Sequence, residues 1–111
     1  MNPAEHAIGP AAARQRIAEP GVTLLDCREP HELDICRIEG AANFVHISSR
    51  QIVERFNELD RDREIIVYCR TGKRSLMVAG FLRQEGFPRV LNLTGGIHAW
   101  ADVVDPAMPK Y

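Results

Sequence analysis

The 111-residue sequence has no apolar run approaching the roughly 20 residues that a membrane-spanning helix needs. Its opening, Met1-Asn2-Pro3-Ala4-Glu5-His6, lacks the basic stretch and apolar segment of a secretory leader. Cysteine is scarce: Cys27, Cys36 and Cys69 are an odd number with no disulfide framework and no metal-type pairing. A reducing cytoplasm is therefore the expected location. Neither sign of charge is in excess, since 14 Lys+Arg against 15 Asp+Glu leave a formal net charge of -1. That balance gives no reason to expect nucleic-acid binding. His6, His31, His46 and His98 show no metal-ligand spacing with each other or with the cysteines, so no metal or cofactor is expected. Internal repeats and low-complexity tracts are absent too. What is present, 45% hydrophobic and 26% charged residues, suits a globular chain with one core. Residues 1–111 are expected to form a single domain.

Short apolar runs alternate with helical patterns along the chain. Gly9-Pro10 opens a helix expected to reach Ala18, with Pro10 suited to its first position, and Pro20-Gly21 stops it. Val22–Asp26 is nearly continuously apolar, as in a strand buried on both faces. Pro30 begins a helical turn to about Leu33, and a brief strand is expected around Ala42-Asn43-Phe44. Ser48 with Gln51 resembles a capping box, behind which Ile52, Val53, Phe56 and Leu59 mark one helix face. After the charged turn Asp60–Glu64 come a strand, Ile65–Tyr68, and a helix with Val78, Phe81 and Leu82 as core contacts. Gly86 and Pro88 end that helix. Val90–Leu93 reads as a strand, and Gly95-Gly96 turns into a last helix bearing Trp100. Asp105–Tyr111, with two prolines, reads as irregular. The alternation predicts an α/β fold, a parallel sheet covered by helices on both faces. In such sheets ligands bind outside the carboxyl ends of the strands.

Cys69 falls at that edge. It ends a strand, and the polar turn Arg70-Thr71-Gly72-Lys73-Arg74-Ser75 leads into a helix. The thiol thus faces the first free N–H groups of the helix and the positive end of its dipole, which favour an anion. They also favour thiolate over thiol. Gly72 permits a tight turn whose amides converge above the sulfur. Arg70, Lys73 and Arg74 add positive charge, and an arginine fork suits an oxyanion. Ser75 can cap the helix or bond to the sulfur. A cysteine nucleophile in this cradle can attack sulfur, phosphorus or arsenic in an oxyanion.

The loop Cys-Arg-Thr-Gly-Lys-Arg-Ser resembles the active-site loop of the rhodanese family of sulfurtransferases. Leu24–Glu32 is similar to that family's early Asp-x-Arg segment, and Ile38-Glu39-Gly40-Ala41-Ala42-Asn43 to its Ile-x-Gly-Ala-x-Asn segment. Leu93–Trp100 resembles its closing Gly-Gly-x-x-x-Trp. Trp100–Tyr111 further resembles rhodanese domains attached to sulfur-carrier-activating adenylyltransferases. The resemblance implies a three-layer fold with about five mostly parallel strands. It also implies a two-step reaction. A Cys69 thiolate takes the sulfane sulfur of a small donor such as thiosulfate, and the persulfide passes it to cyanide, a thiol or a sulfur-carrier protein. Cysteine phosphatases and arsenate reductases share the fold, typically with one residue more between the cysteine and the arginine. Here four residues separate Cys69 from Arg74, and the shorter loop favours sulfur transfer.

Two positions depart from the family pattern. Cys36-Arg37 stands where Gly-His is frequent, and Cys27 where an aliphatic residue is more common. Cys27, beside aliphatic strand residues, is expected to pack in the core, whereas Cys36 is the candidate second thiol near the persulfide. Asp26 and Arg28 are expected to pair beside the site and order the loop, or simply to be structural. Trp100 and Phe81 read as core or lid packing.

Overall fold

The apolar run that precedes Cys69 becomes the middle of the sheet. The computed structural model describes residues 6–111. In it Ile65, Ile66, Val67 and Tyr68 show no exposed surface. The strands are β1 (Ala7–Ile8), β2 (Val22–Asp26), β3 (Asn43–His46), β4 (Glu64–Tyr68) and β5 (Val90–Leu93). The helices are α1 (Pro10–Ile17), α2 (Pro30–Ile35), α3 (Ile52–Arg55), α4 (Lys73–Gln84) and α5 (Gly96–Val103). All strand pairs are parallel, in the order β1-β5-β4-β2-β3.

Side-chain alternation along the two central strands divides the core in two. Leu25, Ile65 and Val67 face Ile52, Val78, Ala79 and Leu82, on the side of α3 and α4. Leu24, Ile66 and Tyr68 face Ala13, Ile17, Ile97 and Trp100, on the side of α1 and α5. Burial of an aliphatic side chain such as Ile65 or Ile66 is worth about 1.5–3 kcal/mol, so the double-sided burial of β4 anchors the loop that follows it.

The chain leaves β2 for β3 on one side and returns to β4 on the other. The direction of winding therefore reverses between β2 and β4. A crevice opens at such a reversal, beyond the carboxyl ends of the two strands.

Several local expectations shift. β1, only two residues long, was too short to leave a periodic signal; it adds to the edge of β5. Helix α2 continues to Ile35, and β3 extends to His46. The Ser48/Gln51 capping box does not form. The Ser48 hydroxyl instead donates to Glu29 Oε1 at 2.7 Å, and it is Glu32 that reaches back to accept the Glu29 N–H at 2.9 Å. The helix after Ser48 is one turn followed by a 3-10 turn, Phe56–Glu58. Ile52 and Leu59 are buried and Phe56 packs against the same side of the core, as expected, but Val53 is exposed. Trp100 is buried in the α1/α5 side of the core.

Candidate active site

Strand β4 delivers Cys69 into the crevice, and the chain then folds back over its sulfur. Gly72 adopts φ 102°, the left-handed conformation that only glycine takes readily, and acts as N-cap of α4. The turn brings the Gly72 N–H to 3.1 Å and the Ser75 N–H to 3.4 Å from Cys69 Sγ. Lys73 and Arg74 lie in the same first helical turn, where N–H groups have no intrahelical acceptor. The Ser75 hydroxyl, 3.4 Å from Sγ, also donates to Asn92 Oδ1 at 2.5 Å. Asn92 in turn donates through Nδ2 to the Gly72 carbonyl at 3.3 Å. It therefore braces both donors of the cradle from β5. Sequence reasoning missed it, because its contribution depends on β5 lying beside β4.

These contacts favour a thiolate. The neighbouring Cys27 thiol lowers the Cys69 pKa most; burial opposes this, and the Ser75 hydroxyl and the Ser75 and Gly72 N–H groups assist. The balance brings Cys69 down to about 4. Cys69 is nearly buried at 1% exposure, with these donors converging on its sulfur.

The loop cations have different surroundings. Arg74 forks onto Glu32, with contacts of 2.7 and 3.0 Å, so its charge is tied to α2 at the rim. Arg70 is exposed; it stacks over the Tyr111 ring and donates to the Tyr111 carbonyl. Thr71 and Lys73 are exposed on the loop, and Lys73 has no ion-pair partner among the described residues. Behind the loop, the Cys69 carbonyl accepts the Ile97 N–H at 2.9 Å and the Arg70 carbonyl the His98 N–H at 3.1 Å. A Cβ on Gly96 would lie 2.5 Å from the Cys69 carbonyl oxygen. The close approach of α5 to the loop thus requires glycine there.

Asp26 and Arg28 pair at 2.8 Å with no exposed side-chain surface. Tyr68 donates to Asp26 at 2.6 Å, and Arg28 reaches the Cys36 carbonyl and the Tyr111 hydroxyl. That hydroxyl donates to Glu32 at 2.6 Å, and Glu32 holds Arg74. The pair is structural and is also linked, through Tyr111 and Glu32, to the rim of the cradle. The tail is irregular as expected, yet its Tyr111 is a node of this network, which no local pattern announced.

Cys27 packs in the core as expected, but it, and not Cys36, is the second thiol near Cys69. Cys36 lies against the α1/α5 side of the core, its thiol 3.6 Å from the Pro109 carbonyl, away from Cys69. Cys27 is fully buried on the side of Cys69, beside its sulfur. A sequence signal was present: both central strands are followed directly by Cys-Arg, at Cys27-Arg28 and Cys69-Arg70.

Known proteins bear the same stamp. A family model described as a rhodanese-like domain matches residues 9–103. A sulfurtransferase of Allochromatium vinosum is 41% identical over 88 residues, covering 78% of this chain and 79% of that protein. The probable adenylyltransferase/sulfurtransferase MoeZ of Mycobacterium tuberculosis is 37% identical over 90 residues, 81% of this chain but 23% of its own length. The crystal structure of a rhodanese-related protein from Thermoplasma volcanium superposes with a TM-score of 0.78 at 32% identity, over 94% of this chain and 95% of that one. With a parallel sheet reversing at β2 and β4 and a cysteine cradle at that reversal, the chain belongs to the rhodanese-like domain family.

Proposed function

We propose that the chain is a single-domain sulfurtransferase that moves sulfane sulfur through a persulfide on Cys69. The donor is thiosulfate or a related small anion. The acceptor is cyanide, a thiol or a sulfur-carrier protein. The observation that supports this reading best is the pair of N–H groups, from Gly72 and Ser75, aimed at Cys69 Sγ.

In the first step the Cys69 thiolate attacks the outer sulfur of thiosulfate, the S–S bond breaks, and sulfite leaves with the bonding electrons. Exposed Lys73 and the unpaired N–H groups of the first α4 turn attract the dianionic donor and stabilise charge on the departing sulfite. The persulfide then occupies the cradle. In the second step an acceptor nucleophile takes the outer sulfur and the Cys69 thiolate returns. The four-residue spacing from Cys69 to Arg74 and the engagement of Arg74 by Glu32 leave a narrow cradle. This favours a sulfur atom over a tetrahedral phosphate or arsenate. The three cysteines are free thiols, which suits a reducing cytoplasm.

A protein acceptor is the second reading. Beside Arg74 lies an open groove lined by Ile52, Val53, Met77 and Phe81. Val53 and Met77 are exposed at 65% and 77%, an apolar surface next to a cation that suits a carrier tail. Mass spectrometry after incubation with thiosulfate tests the main reading. One added sulfur on Cys69, removed by cyanide, is the expected result; full transfer activity in Cys69→Ser would overturn it. Transfer to a carrier-protein terminus far faster than to cyanide would favour the protein acceptor.

A further inference from the structure

Beyond helping to charge Cys69, Cys27 forms no bond in the two-step reaction above, yet it is the side chain best placed to intervene in it. The register pairs Leu25 with Val67 and Asp26 with Tyr68, and the ladder continues with the Cys27 N–H donating to the Tyr68 carbonyl at 3.0 Å. The next positions level with each other are Cys27 and Cys69. Neighbouring strands lie about 4.8 Å apart, within the roughly 4.4–6.8 Å that separates the Cα atoms of disulfide-linked cysteines. Alternation turns both side chains to the same face, with Leu25 and Val67 beneath them. They flank the reversal between β2 and β4, and both are almost completely buried, at 0% and 1% exposure.

The surroundings of the two sulfurs differ. Cys69 Sγ receives the loop N–H groups. Cys27 retains its proton, because the adjacent Cys69 and then burial push its thiol up. An inert core cysteine would face hydrocarbon, whereas this one presents a protonated thiol to the reacting sulfur from the neighbouring strand.

We propose that Cys27 is an internal resolving thiol for a persulfide on Cys69. The idea rests on the persulfide reading given above. Cys27 first passes its proton to the outer sulfur of the persulfide; the resulting Cys27 thiolate attacks Cys69 Sγ, the bond from Sγ to the outer sulfur breaks, and hydrosulfide leaves with the bonding electrons. A Cys27–Cys69 disulfide remains. The sulfane sulfur is reduced by two electrons and the two thiol sulfurs are oxidised by two, so the step needs no outside oxidant. The cradle N–H groups that hold a persulfide anion also stabilise the departing hydrosulfide. A thiol or dithiol reductant then reopens the disulfide and restores the Cys69 thiolate. The loaded enzyme therefore has two exits: sulfane transfer to an external nucleophile, and release of sulfide when none is at hand.

The test uses the full chain, reduced and freed of reductant, then given thiosulfate without oxygen, cyanide or thiol. Intact mass follows loading and a colorimetric assay follows sulfide. Trypsin places the cysteines in separate peptides, Ile17–Arg28, Glu29–Arg37 and Glu64–Arg70. The expected course is a gain of one sulfur, then loss of that sulfur with the appearance of sulfide, and a disulfide joining Ile17–Arg28 to Glu64–Arg70. Cys27→Ser and Cys27→Val should load more slowly, because the Cys27 thiol helps to charge Cys69, and should then keep the sulfur without forming a disulfide. Cys36→Ser should behave like the unaltered chain. A loaded protein that neither releases sulfide nor forms that disulfide overturns the role of Cys27 and leaves the Cys69 persulfide intact. A disulfide to Glu29–Arg37 overturns it in favour of Cys36. Failure to load any sulfur removes both readings together. The peptide map of the unaltered chain decides the matter even where a variant fails to fold.

Discussion

At the scale of single residues, the site depends on where a few charges are held. Cys69 is held as thiolate down to about pH 4 by Cys27, Ser75 and Gly72 against the opposing effect of burial. Its alkylation by iodoacetamide should therefore be level from neutral pH to about 5 and fall as pH drops through about 4. Peptide mapping of the alkylated protein measures this directly. A midpoint near the ordinary thiol value would mean that the cradle does not charge the sulfur. Asp26 illustrates a different balance. Its removal leaves the Arg28 guanidinium buried without its partner, so Asp26→Ala should cost about 3–5 kcal/mol in urea denaturation. The cradle around Cys69 was legible in the sequence because strand, glycine turn and helix start are contiguous there. The place of Cys27 was not, because its chemistry depends on a residue in another strand.

At the scale of elements, two glycines differ in whether the fold needs them, Gly96 for both conformation and packing and Gly80 for neither. Gly96 has φ 62° and no room for a Cβ against the Cys69 and Arg70 backbone. Gly96→Ala should cost about 1–3 kcal/mol of backbone strain. A displacement of the loop by about 1 Å should also slow sulfur transfer roughly 10²-fold. Gly80, inside α4, has nothing within 4 Å of the place a Cβ would take and no positive φ. Gly80→Ala should instead stabilise by about 0.4–1 kcal/mol with activity retained. Thermal denaturation and a thiosulfate-to-cyanide assay on the two variants distinguish these roles. The elements themselves were largely legible. The runs Val22–Asp26 and Ile65–Tyr68 are buried on both faces and so are nearly continuously apolar. α3 was legible as a helix but not in its shortness or in the exposure of Val53, because Ile52 and Val53 are adjacent and a single turn can bury only one of them.

At the scale of the whole molecule, a polar network ties the centre of the sheet to the rim of the cradle, from Asp26 through Arg28, Tyr111 and Glu32 to Arg74. Burial tends to raise the Glu32 carboxyl, but Arg74, Tyr111 and the Glu29 N–H outweigh it and bring it to about 2, below its ordinary 4.5. A carboxyl depressed on folding stabilises the native state above its unfolded pKa, and the stabilisation fades as pH falls towards the folded value. The melting temperature should accordingly hold above about pH 5 and decline between about 4.5 and 2. Glu32→Gln should lower the plateau and flatten that decline. An equal decline in the variant would assign the acid sensitivity elsewhere. The sequence by itself determined the strands β2 to β5, the turn at Gly72 and a cysteine facing a helix start, because these follow from residues adjacent along the chain. Only the tertiary structure decided that Cys27, rather than Cys36, stands beside Cys69, and that Tyr111 and Glu32 complete the rim. Those neighbours are set by a sheet order of β1-β5-β4-β2-β3, and spatial adjacency across crossovers has no periodicity that a local pattern can display.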